Sequence, residues 1–65
     1  MHQTDGQRLR AIMESKGVSH QGLADQMGVA KKTVYQYLNS VSHTVEVRRR
    51  LAKALKCRQR DLMGV

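Results

Sequence analysis

The chain has no proline, phenylalanine or tryptophan, a single cysteine, and only five acidic residues among its 65. One cysteine, Cys57, allows no internal disulfide, and it excludes a zinc finger. Cys57 reads as a small core residue before a reactive thiol, and a lone cysteine suits a reducing compartment. Without large aromatic residues the apolar inventory is Leu, Val, Ile, Met and Ala, which favours a helical domain over a strand-rich one. No apolar run approaches the length of a membrane span, and none near the N-terminus reads as a signal peptide. The expected location is therefore the cytoplasm, with no membrane partner. The length allows one domain with a small core. The shortage of acids leaves a formal charge of +7. That balance points to a polyanionic partner, nucleic acid ahead of an anionic membrane surface or an acidic protein.

What is present is a succession of capped, amphipathic segments. Thr4 caps a first helix over 5–16, with Gln7 in a capping-box relation and Leu9, Ile12 and Met13 on one face. Gly17 stands where a left-handed residue ends it. Ser19 opens a second segment, 19–27, with Leu23, Ala24 and Met27 as its buried stripe. Gly28 stops that segment, and Val29 plugs the turn. Ala30 starts the third without offering a side-chain acceptor to the free N–H groups. Over 31–38, Val34, Tyr37 and Leu38 face inward. Lys31, Lys32, Thr33, Tyr35 and Gln36 are left outward. Asn39 and Ser40 close the segment. Thr44 caps a fourth, 45–55, with Val47, Leu51, Ala54 and Leu55 inward. A short fifth helix, 58–63, sends Leu62 to the core. The apolar stripes are core packing, so function belongs to the faces they leave outward.

A helix fits the major groove of B-DNA, where each base pair presents its own donors and acceptors. Lysine donates to guanine O6 and N7, and glutamine bridges adenine N6 and N7. Gln36 lies four residues beyond Lys32, so both project from one face of the third helix. Lys31 sits against the positive end of its helix dipole, a penalty that a phosphate relieves.

Leu23–Ala24, Met27–Gly28–Val29, Thr33–Val34 and Leu38–Asn39, followed by the run 51–63, resemble the Cro/CI-type (XRE) repressor family. The resemblance covers Leu9 to Met63. It implies an all-α, five-helix lambda-repressor-like helix-turn-helix domain that regulates transcription by binding double-stranded DNA. Such proteins usually bind near-palindromic operators as dimers and come from bacteria or their phages. The resemblance makes Lys31, Lys32 and Gln36 the base readers, with Thr33 and Tyr35 beside them. It sets His20 near the DNA backbone, with Gln21 next to it, and Asn39 at the backbone end of the third helix, where Ser40 replaces a common glycine. Ser42, His43 and Thr44 are further candidates for phosphate contact from the loop, and Arg48 is one from the fourth helix. The run Arg48–Arg49–Arg50 fans around its helix, so its members cannot share one surface. Those not on phosphate are expected in solvent or paired with Glu46 or Asp61.

One such domain buries only about 600–1,000 Å² on DNA, so a homodimer on DNA is expected. Its contact would use the chain end, through Cys57, Leu62, Met63 and Val65, and would be weak enough for a free monomer. No cofactor, metal or small-molecule ligand is expected: His2, His20 and His43 lack zinc-site spacing, and no nucleophile stands beside a base. Catalysis is therefore not expected. Two other functions compete. One is an antitoxin-type protein-interaction module with autoregulatory DNA binding, the other non-specific DNA binding.

Overall fold

The computed structural model describes residues 3–63. Its elements are α1 (Asp5–Lys16), α2 (His20–Met27), α3 (Lys31–Leu38), α4 (Val45–Leu55) and a closing 3-10 turn (Gln59–Leu62). The expectation of five helices is corrected to four α-helices and this turn, because four residues form only one tight turn.

Local chemistry accounts for most boundaries. Thr4 and Gln7 form a reciprocal capping box at the start of α1. Ser19 Oγ accepts the Gly22 N–H, and Thr44 Oγ1 accepts the Val47 N–H. Gly17 and Gly28 end α1 and α2 at φ 67° and 69°, a region glycine enters without a Cβ penalty. α4 ends differently. Lys56 occupies the same left-handed region at φ 54° with a full side chain.

The helices close around Leu9, Leu23, Val34, Leu51 and Leu62, all at 0% exposure. Ala24 is also fully buried, at the contact between α2 and its neighbours. Ala52 joins the core beside the expected Leu51 and Leu55, while Val47 and Ala54 pack at its edge. Leu62 is thus a core residue of the single domain. It is withdrawn from any dimer contact, and the expectation of an interface role for it is corrected.

The start of α1 is tied to the loop after α3. The Asp5 N–H donates to Val41 O at 2.9 Å and the Gly6 N–H to Ser40 O at 3.0 Å. A Cβ on Gly6 would sit 2.7 Å from the Leu38 carbonyl carbon and 2.8 Å from Ser40 O, so the two backbones meet there directly. Beside them lies a buried polar cluster. The Asp5 carboxylate accepts the His43 N–H at 2.8 Å and faces Arg48 Nη2 at 3.9 Å. Asp5→Ala leaves the Arg48 guanidinium and the His43 N–H without this acceptor. A loss of about 2 kcal/mol is expected, read as a lower midpoint in urea denaturation, and an unchanged midpoint would show the cluster to be energetically idle.

Candidate nucleic-acid interface

α3 separates its residues by face. Val34 and Leu38 are buried and Tyr37 is half-buried, while Lys31, Lys32, Tyr35 and Gln36 are exposed and Thr33 lies at the boundary. Inward residues recur every three to four positions, so the outward ones form one stripe. No side chain caps α3 at Ala30, which leaves the N-terminal end of the helix beside Lys31 and Lys32 with its positive dipole unopposed. The turn Gly28–Ala30 sets α2 against α3, with Val29 packed on the core and its N–H donating to Ala24 O at 3.0 Å.

α2 and α3 meet through a ring contact at their outer edge. His20 and Tyr35 lie edge to face, with centroids 4.9 Å apart and planes at 71°. The Lys31 ammonium sits 5.9 Å from the Tyr35 centroid. The Tyr35 ring is therefore held between the start of α2 and the first turn of α3, although Tyr35 stays 43% exposed. This places three of the candidate DNA-facing side chains in one packed group and limits their rotamer freedom before any ligand arrives. The contact joins positions fifteen apart in sequence, and no local pattern announces it.

Residues 8–65 match the family model described as the Cro/C1-type HTH DNA-binding domain. The chain belongs to that family. It is a DNA-binding helix-turn-helix domain of the kind that regulates transcription. Comparison with curated proteins and with solved structures gives no match. Among the described residues of this helix-turn-helix domain, no group of three or more His, Cys, Asp or Glu side chains could hold a metal ion.

The remaining candidates fall into different settings. Gln21 is exposed and donates through its amide to Asp25 Oδ1 at 2.9 Å. Asn39 and Ser42 are exposed, and so is Thr44, whose hydroxyl caps α4. Ser40 is half-buried and donates to Gln36 O at 2.7 Å, closing the last turn of α3. His43 is buried at 7% exposure, with Nε2 2.8 Å from Tyr37 O and its ring edge-on to Tyr37. Its side chain braces the loop from within, so the expected phosphate contact of its ring is corrected. Arg48 is likewise drawn inward, donating to His43 O at 3.3 Å beside Asp5. It faces Asp5 in place of Glu46 or Asp61, and its side chain stays partly exposed. Arg50 donates to Met27 O at 3.3 Å, while Arg49 is exposed.

Of the residues expected at a dimer contact, Met63 is 47% exposed, Leu62 is buried, and Val65 lies outside the described residues. Cys57 is half-buried and packed against the core. Burial pushes its thiol upward, Asp61 adds to the rise, and Lys16 opposes it. The thiolate is the reactive form, so Cys57 is expected to alkylate more slowly than free cysteine near pH 8. Timed mass spectrometry with iodoacetamide checks this, and a rate equal to that of free cysteine would contradict it.

Proposed function

We propose that this domain is a sequence-specific transcriptional regulator, a repressor of the Cro/CI type, acting in a bacterial cytoplasm from a chromosomal, plasmid or phage gene. Two copies bind an inverted-repeat operator, each with α3 in the major groove. The observation that carries this reading is the exposed stripe of Lys31, Lys32, Tyr35 and Gln36 on a helix whose other face is core. Lys32 and Gln36 supply the two side chains suited to base edges, and Lys31 and Thr33 flank them. Lys31 and the uncapped start of α3 suit a phosphate. Asn39, Ser42 and Thr44 are accessible for further backbone contacts, His20 and Ser40 reach the stripe through Tyr35 and Gln36, and exposed Gln21 follows His20 in α2.

A single domain of this size covers too little DNA for both affinity and specificity. Two recognition helices about 34–36 Å apart read half-sites one turn apart, and Met63 offers an exposed apolar contact near the end of the chain. Repression follows from occupancy, since bound protein excludes polymerase or a competing regulator. Binding weakens steeply with salt as phosphate counterions return.

Selection from a random duplex pool at about 0.15 M salt, followed by sequencing, tests this directly. An enriched inverted repeat, bound with two protein chains per duplex, is the expected outcome. Tight binding at low salt without enrichment would overturn sequence-specific regulation in favour of non-specific binding.

A further inference from the structure

A second charged surface lies away from α3. An open groove of about 600 Å³ runs between α1, the end of α4 and the closing turn. Arg8, Lys16, Lys56 and Arg58 line it, with Ile12 and Cys57 as its less polar floor. α2 and α3 contribute none of the lining residues. Gly6 abuts Leu38 of α3, and Ser15, on the groove, is nine residues further along α1. At about 100° per residue these two positions fall on opposite sides of the helix. The body of α1 therefore stands between the groove and the end of α3.

The charge in the groove exceeds what the fold asks of it. Asp61 also lines it, and α1 and α4 both end there. Each helix end carries about half a negative charge, so two of the four cations offset both ends and Asp61 together. Counting all of these, the groove is left about two charges positive. Lys56 adds an independent sign. The two other left-handed helix caps are glycines, whereas here a lysine holds φ 54° and its side chain reaches the groove wall. This cap therefore adds a positive charge to the groove where the other two caps carry none.

Shape narrows the occupant. A small ligand needs a cavity that encloses most of its surface, and this one is open along its length. Arg8 and Lys16 are eight residues apart on α1, about 12 Å along its axis, which about four residues of extended peptide would span. We propose that the groove docks an acidic, extended segment of a partner protein, with carboxylates on Lys16, Lys56 and Arg58 and apolar side chains over Ile12, while α3 remains free for DNA. The domain then links a DNA site to a second protein.

The probe is a short peptide of alternating glutamate and valine, with a glutamine–valine peptide as control, titrated into the isotope-labelled chain at low salt. The expected result is amide shifts at Arg8, Ser15, Lys16, Cys57 and Arg58, from the acidic peptide alone, that persist when duplex DNA is bound. Lys16→Gln/Lys56→Gly removes two charges while relieving the left-handed backbone, so the fold is kept. It should weaken the peptide about five- to tenfold and leave duplex affinity within about twofold. Shifts centred on Lys31 to Gln36, displacement of the peptide by duplex, or no peptide-induced shifts at all would overturn the docking site. A parallel fall in duplex and peptide affinity in the variant would also overturn it, by making the groove part of the DNA footprint. Duplex binding is measured in the same samples, so a failure of DNA recognition is told apart from a failure of docking.

Discussion

Gly6→Ala is expected to remove most of the stability of this domain. In an exposed helix the same change adds about 1 kcal/mol. Here the new methyl group meets the carbonyls of Leu38 and Ser40, which are backbone and cannot rotate aside. α1 would have to move from α3, breaking the Asp5–Val41 and Gly6–Ser40 backbone bonds. Overpacking of this kind costs about 2–4 kcal/mol, against a total of about 3–5 kcal/mol for a core this small. Circular dichroism on heating should show a fall in Tm of about 10–20 °C. A Tm that stays level or rises would show that α1 and α3 can separate cheaply.

The second large effect concerns recognition. Lys32→Ala/Gln36→Ala is expected to abolish the preference for the selected operator while leaving the fold intact. Each good base contact supplies about 1–3 kcal/mol of discrimination, so losing two lowers the ratio of operator to random-duplex affinity by about thirtyfold or more. Both residues are exposed, so stability should move by less than about 0.5 kcal/mol. Competition binding at fixed salt measures the ratio directly. If the operator preference survived in the double variant, specificity would reside elsewhere, with Thr33 and Tyr35 the next positions to replace.

Short-range signals carried the outline of this fold. Thr4, Ser19 and Thr44 mark three helix starts through bonds to N–H groups three residues on, and Gly17 and Gly28 mark two ends. Leu9, Leu23, Val34 and Leu51 follow from helical spacing. The outward stripe of α3 was legible for the same reason, since a helix that buries Val34 and Leu38 must expose Lys32 and Gln36. What escaped depends on distant partners. Asp5 looks like an ordinary first-turn acid, yet it is 8% exposed and holds the loop of His43. His43 and Arg48 look like ligands for phosphate because they are basic and near α3, and only the tertiary contact turns them inward. Gly6 did carry a local sign, because a glycine in the first turn of a helix sacrifices stability unless something comes close. α4 ends at Leu55 as its spacing implied, and only its left-handed cap escaped, because Lys56 takes a conformation normally announced by glycine.

The Arg8 guanidinium donates through Nε to Asp61 O at 2.7 Å, across 53 positions of the chain, and Leu62 beside it fills the core. During synthesis the helices can therefore form in order, but the core has no lid until residue 62 has left the ribosome. A nascent chain halted at the end of α4 would leave open to solvent the parts of α1 and α4 on which the closing turn packs. Formation of the closing turn, and not of α3, is thus the step that completes the scaffold of α1 and α4 behind the DNA-facing stripe.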